Sequence, residues 1–296
     1  MPKLTPIILY DSITAYDTTP LRGRQAGRTG GGGDRRRVVT TELKGKNILV
    51  TGGTGIGVGA GICRAVHEAG GKLIINGRRR EALDAAVTRY PGSVGALGDI
   101  RDPMQVEEIF RTVEGRCGTV DGLVNNAGVG LSKPAHEVEE SEFDDLFSVD
   151  VKAAWLMTRA FIRRLLAAKR GGSIVNVSSV HAQATMPRYS LYAGAKAGIE
   201  GLTRGLAYEY GEYNIRCNAI APGYVHAEQN YDLIRTWTED PQAWVHQHTE
   251  NHQALPFEIT PEDCGELAVF LLSERSRCIT GQTVRIDAGM TTMLYN

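Results

Sequence analysis

Tyr192 and Lys196 stand four residues apart, so on a helix they lie one above the other on a single face. An ammonium beside a phenol favours the phenolate and pulls down a pKa that is about 10 when unperturbed. Tyr192 would then exchange a proton near neutrality. Ser179 follows the apolar run Ile174-Val175-Asn176-Val177, whose β-branched residues suit a buried parallel strand. Its hydroxyl can hold the oxygen that gains or loses that proton. Ser178 should point the other way, because neighbouring strand residues face opposite sides. A Tyr-Lys pair alone reads better as an ordinary surface pair. The serine at a strand end and a glycine-rich turn upstream move the reading toward chemistry.

The surrounding sequence must hold these side chains together. Short apolar runs at 47–51, 72–76, 94–97, 122–125, 174–177, 215–220 and 283–286 alternate with helical patterns. The helices are expected from the glycines to Gly70, from Glu81 to Tyr90, from Pro103 to Gly115, from about Ser141 to Lys169, from near Tyr189, and from Pro261 to Ser273. Repeated βα units with apolar strands imply an α/β fold, a doubly wound seven-stranded parallel sheet covered by helices on both faces. Ligands of such sheets sit at the carboxyl ends of the strands, where Ser179 is expected. Thr51 to Gly61 reads TGGTGIGVGAG, after a strand and opening a helix. Glycines there let the backbone approach a pyrophosphate at the helix N-terminus.

Ser179, Tyr192 and Lys196, with this turn, Asn125-Asn126-Ala127-Gly128 and Pro222-Gly223, resemble the short-chain dehydrogenase/reductase family over roughly Leu43 to Ala288. The resemblance implies a Rossmann fold, hydride exchange with a nicotinamide cofactor and Tyr192 as proton donor or acceptor. Lys196 would bind the nicotinamide ribose and depress the Tyr192 pKa. Gly57 and Gly59 match the family's GxG pair, which leaves Thr51-Gly52 one residue early and the turn one residue long. Implied cofactor contacts are Gly53, Gly57 and Val58 in the turn, Asp99 and Ile100 at the adenine, Asn126, Ala127 and Gly128 beside the cofactor, and Pro222, Gly223 and Val225 by the nicotinamide, with Tyr192 and Lys196. Where NAD-preferring relatives carry an acid, this chain has Gly77, then Arg78 and Arg79. A guanidinium fork suits a ribose 2′-phosphate, so NADP(H) is the expected cofactor.

Two positions depart from the family pattern. Ala227 stands where a Thr usually contacts the carboxamide. Asp150 stands where an Asn on the long helix holds a water against the Lys. Asp150 either keeps a place in the proton relay with a shifted pH optimum or caps a helix break away from Lys196. Residues 224–256 match the family's substrate lid. Their Tyr231, Trp237, Trp244, His246, His248 and His252 either meet a bulky or aromatic substrate or pack the lid on the core. The histidines lack carboxylate or Cys partners in register, so no metal site is expected. His181 and Gln183 are candidates to line the pocket.

The formal net charge of -1 over 296 residues argues against nucleic-acid binding, and no apolar stretch is long enough to span a membrane. Five scattered cysteines without CxxC spacing and a start lacking secretory-signal features indicate a cytoplasmic setting. Residues 1–42, rich in Gly and Arg, read as an extension, flexible or docked, before one domain at 43–296. The leading expectation is a ketoreductase or alcohol dehydrogenase acting on a small carbonyl/alcohol pair, assembled as a homodimer or homotetramer. An epimerase or dehydratase on the same fold, or a dinucleotide-binding regulatory protein, are the alternatives.

Overall fold

Seven parallel strands form one sheet in the order β3-β2-β1-β4-β5-β6-β7. They are β1 (Asn47–Thr51), β2 (Lys72–Gly77), β3 (Val94–Leu97), β4 (Gly122–Asn125), β5 (Gly172–Val177), β6 (Ile215–Pro222) and β7 (Thr283–Ile286). The computed structural model describes residues 41–226, 234–235 and 238–293. Nearly all of the expected 1–42 extension, and Ala227, Tyr231 and Trp237, lie outside the described residues.

Alternation along each buried strand feeds two cores. Leu49, Ile74, Leu123 and Ile174 pack against Phe110 of α3 (Pro103–Cys117) and Met157 and Phe161 of α5 (Ala154–Ala167). Ile48, Val50, Val124 and Val175 face Ile62 and Val66 of α1 (Val58–Glu68) on the other side, with Cys264 and Leu271 of α8 (Pro261–Leu272). Each such side chain contributes about 1.5–3 kcal/mol when fully buried. Helix α2 (Arg80–Arg89) packs on β2 and the edge strand β3, and α7 (Pro241–His252) lies in the expected lid. Gly61 permits α1 and α8 to cross closely, since a Cβ there would sit 2.0 Å from the Pro261 carbonyl oxygen.

The long helix expected from Ser141 to Lys169 is not continuous. It runs as α4 (Glu140–Phe147), a π-helical turn (Ser148–Ala153) and α5. Such turns insert a residue into the winding; here the inserted stretch carries Asp150 inward, and the carboxylate there accepts the Val129 N–H at 2.7 Å. Helix α6 (Ser190–Tyr210) bears Tyr192 and Lys196. A polar ladder fixes these helices to the strands. Asn125 donates to Asn176 at 2.8 Å and to Thr158 of α5 at 2.9 Å, and Asn176 donates to Thr203 of α6 at 2.9 Å. In a dry interior each bond is worth about 1 kcal/mol net, and more is lost if one partner is removed. Among the described residues, no helix is long and apolar enough to cross a membrane.

Candidate active site

From β1 the chain order steps outward to β2 and β3, and from β4 it steps the opposite way. This reversal leaves a crevice at the carboxyl ends of β1 and β4. A cleft of about 550 Å³ occupies it. Gly52 turns there with φ +68°, and a Cβ on it would lie 2.9 Å from the Ala127 Cα. The Thr51 hydroxyl accepts the N–H groups of Asn126 and Ala127 at 3.0 and 3.1 Å, pinning the turn after β4 to the turn after β1. Gly59 is obligatory for the same closeness: its Cβ would stand 2.4 Å from the Asn126 amide nitrogen. Gly55 and Ile56, in the middle of this turn, are solvent-exposed. Helix α1 starts after Gly57 with no side-chain cap and no acid in its first turn. Its N-terminal amides and dipole therefore suit an anion.

The expected cofactor residues Gly57, Val58, Gly77, Arg78, Arg79, Asp99, Ile100, Asn126, Ala127, Gly128, Pro222, Gly223 and Val225 all line the cleft. Gly53 does not. It is buried, with Cys63 Sγ 2.5 Å and Ile75 Cγ2 3.1 Å from where its Cβ would be, so Gly52 and Thr54 face the cleft in its place. The positive φ at Gly52 turns the chain there, a backbone fact that residue types alone do not reveal. Arg78 and Arg79 are exposed at the mouth. Asp99 and Arg101 form a fork, with Nη2 2.6 Å from Oδ2, and that hydrogen-bonded guanidinium holds the Asp99 carboxyl below the usual carboxylate range. Sequence reading missed Thr54, Asn76, Arg101 and Val149 as lining residues. Arg101, two after Asp99, was recoverable from an acid-base spacing; Asn76 earns its place by tying β2 to β3, donating to the carbonyls of Ala96 and Gly98 at 2.9 and 3.1 Å.

Ser179, Tyr192 and Lys196 meet on one wall of this cleft. All three are buried, and the Ser179 hydroxyl accepts the His181 N–H at 3.3 Å. Ser178 points away, donating to Glu200 at 3.1 Å. Lys196 Nζ donates to the Val177 carbonyl at 3.2 Å and lies 5.5 Å from the Tyr192 ring centre. Asp150 does meet Lys196: Oδ2 stands 2.9 Å from Nζ, off the hydrogen-bonding directions, and the pair is an ion pair with side chains 0% and 5% exposed. Gly128 leaves room for it, since a Cβ there would come within 3.1 Å of Oδ2 and 3.2 Å of Nζ.

The electrostatics amend the simple expectation for the phenol. Burial is the largest influence on Tyr192 and raises its pKa; Lys196 and Ser179 pull it down, while Asp150 and Tyr189 push it up, and the net direction is up. Burial opposes charge on Lys196, but Asp150 and then Tyr192 more than offset it, so that pKa is raised too. His181 also lines the cleft, edge-on to Tyr192 with ring centres 5.5 Å apart. Its Nδ1 is 2.8 Å from the Thr185 hydroxyl, and burial pushes its pKa down to about 4. Gln183 does not line the cleft.

On the lid side, Tyr224 and Ile234 line the cleft. Trp244 and His248 stack on each other at 5.2 Å, and Tyr224 lies edge-on to His248 at 5.0 Å. These rings pack α7 to the body. His246 faces Glu250 at 3.4 Å, and among the described residues no three metal-ligating side chains converge.

A family model described as enoyl-(acyl carrier protein) reductase matches residues 53–291. The chain belongs to the short-chain dehydrogenase/reductase family. Among short-chain dehydrogenases/reductases, the oxidoreductase UcpA of Escherichia coli (strain K12) is 35% identical over 257 residues, covering 84% of this chain and 96% of the relative. Gluconate 5-dehydrogenase of Gluconobacter oxydans is 30% identical over 256 residues, covering 85% and 97%. A gluconate 5-dehydrogenase from Burkholderia cenocepacia, solved in complex with NADP and tartrate, superposes with a TM-score of 0.77 at 27% identity, covering 86% of this chain and 99% of that one. The protein is therefore a short-chain oxidoreductase with the family's seven-stranded parallel fold.

Proposed function

We propose that the protein is an NADP(H)-dependent reductase that converts a small carbonyl compound to a secondary alcohol. The observation that carries this reading is the buried Ser179–Tyr192–Lys196 cluster opening on a cleft with a basic mouth. The cleft suits a dinucleotide. The uncapped start of α1 at Gly57 and Val58 would take the pyrophosphate, and Arg78 with Arg79 the ribose 2′-phosphate. Asp99 and Ile100 would flank the adenine, and Asn126 to Gly128 with Pro222, Gly223 and Val225 the nicotinamide end. When bound, the reduced dinucleotide supplies a hydride.

The chain's own residues do the rest. Ser179 and Tyr192 donate hydrogen bonds to the substrate carbonyl oxygen and polarise it. As the carbon gains the hydride and oxygen takes on negative charge, Tyr192 gives that oxygen its proton. Lys196 stabilises the phenolate left behind and holds the nicotinamide ribose. A phenol that keeps its proton suits this direction. The NADP and tartrate bound by the Burkholderia relative support the cofactor and a small polar substrate. Exposed Phe143, Trp155 and Tyr208 on α4, α5 and α6 support assembly as a homodimer or homotetramer, and five unbridged cysteines support a cytoplasmic setting.

The test is NADPH consumption across a panel of ketones, hydroxyketones and keto acids, with parent and Tyr192→Phe. Positioned acid catalysis contributes about 10²- to 10⁴-fold, so the variant should lose at least about a hundredfold in kcat. A Phe variant within about threefold of the parent refutes the role given to Tyr192.

A further inference from the structure

We propose that Asp150 is a positioning residue that neutralises Lys196, so that Tyr192 keeps its proton, serves chiefly as a donor, and supports alcohol oxidation only at alkaline pH. The inference rests on the oxidoreductase reading above and adds to it a control of direction by pH.

The geometry is specific. Asp150 sits in the π-helical turn, where its Oδ1 is held by the Val129 N–H at 2.7 Å and its Oδ2 faces Lys196 Nζ at 2.9 Å. An uncharged acceptor at this place would leave the full ammonium to act on the phenol. A carboxylate within ion-pair distance of Nζ cancels much of that field, and it does so in a dry setting where screening by water is weak. The carboxylate also acts on the phenol directly, disfavouring a second negative charge beside it. Other groups around Tyr192 do not restore the balance. From the segment after β5 come Ser179, a neutral hydroxyl whose pull on the phenol is weaker than the push from Asp150, and His181, neutral at ordinary pH because burial holds its pKa to about 4. Tyr189, at the start of α6, disfavours the phenolate. Glu200, one turn beyond Lys196, is engaged by Ser178 at 3.1 Å. Lys196 thus supplies the cation, and Asp150 spends its field.

Reduction and oxidation then respond differently to pH. Giving a proton to a carbonyl oxygen needs neutral Tyr192, and reduction persists until the phenol ionises. Taking a proton from an alcohol needs the phenolate, which is scarce at neutrality.

The test compares the parent with Asp150→Asn, which keeps an oxygen for the Val129 N–H and removes the charge. Removing a nearby like charge from a buried site lowers a pKa by about one unit or more. The acidic limb of the oxidation profile should therefore move down by about one pH unit, with kcat at neutrality rising about tenfold and KM little changed. Tyrosinate absorbance, taken as the difference between each protein and its Tyr192→Phe counterpart, should move by the same amount. Superimposable profiles and titrations overturn the proposal. If no carbonyl or alcohol turns over but the Tyr192 titration moves, the reductase reading fails and the role of Asp150 stands. Should Asp150→Asn not fold, the parent alone decides: a Tyr192 that titrates below the ordinary phenol value overturns the proposal, and one that titrates above it supports it.

Discussion

Removing Lys196 should destabilise the protein by several kcal/mol, and neutralising Asp150 as well should recover much of the loss. At 2.9 Å the two charges attract by roughly 6 kcal/mol at an effective dielectric near 20. Most of this is offset by the cost of taking both charges out of water, so the intact pair adds little net stability. Breaking it is another matter, because Lys196→Met leaves the Asp150 carboxylate buried with only the Val129 N–H. Losses of about 3–5 kcal/mol are usual for an orphaned buried charge. At about 2–4 °C per kcal/mol for a domain of this size, the melting temperature should fall by about 6–20 °C. Lys196→Met/Asp150→Asn puts a neutral amide against an apolar side chain and should melt within a few degrees of the parent. The assay is urea unfolding of the parent, both single variants and the double variant, read as a cycle. A coupling below about 0.5 kcal/mol, or a single Lys196→Met loss below about 1 kcal/mol, refutes the ion-pair account. The pH dependence carries a sign as well. Since the Lys196 pKa is raised in the fold, its contribution is complete below the ordinary lysine value of about 10.4 and is lost as pH rises through the folded value.

Two further outcomes follow from the same geometry. Arg78→Ala should lower the ratio of NADPH to NADH efficiency about tenfold, the worth of one exposed charge-assisted bond to a phosphate, and the parent ratio should fall with added salt; an unchanged ratio moves the phosphate site elsewhere. His181 and His248 both have pKa values pushed down to about 4 by burial, His252 adding to the effect at His248. Depressed imidazoles contribute stability that is complete above about 6.5 and lost as pH falls toward the folded value, at up to about 1.4 kcal/mol per pH unit each. His248→Asn should flatten the slope of unfolding free energy against pH between 6.5 and 4, and an unaltered slope would show that His248 protonates freely in the fold.

Much of the scaffold was legible because buried parallel strands are written as short continuous apolar runs. Asn47–Thr51, Val94–Leu97, Gly122–Asn125 and Thr283–Ile286 fall at the expected boundaries. Ser179, Tyr192 and Lys196 were legible from their types and order, and the structure brings them together. Three features resisted. The π-helical turn leaves the apolar stripe of the long helix nearly continuous, from Leu146 to Ala153 and Met157, so one extra residue in the winding is invisible to periodicity. Helix α7 buries only Val245, His248 and Thr249, too few apolar positions to mark its ends. The direction of the Tyr192 shift depends on depth of burial and on a carboxylate far away in sequence, neither of which the spacing of Tyr192 and Lys196 encodes.

The stepped winding at Ser148–Ala153 also makes the carboxylate's direction depend on chain length. Deleting one residue there would restore ordinary coiling and swing everything before it by about 100° around the axis. Helix α5 would keep its grip on the sheet through Met157 and Phe161, while whatever residue then stood nearest Nζ would be a different one. The length of this short segment therefore decides which side chain is paired with Lys196.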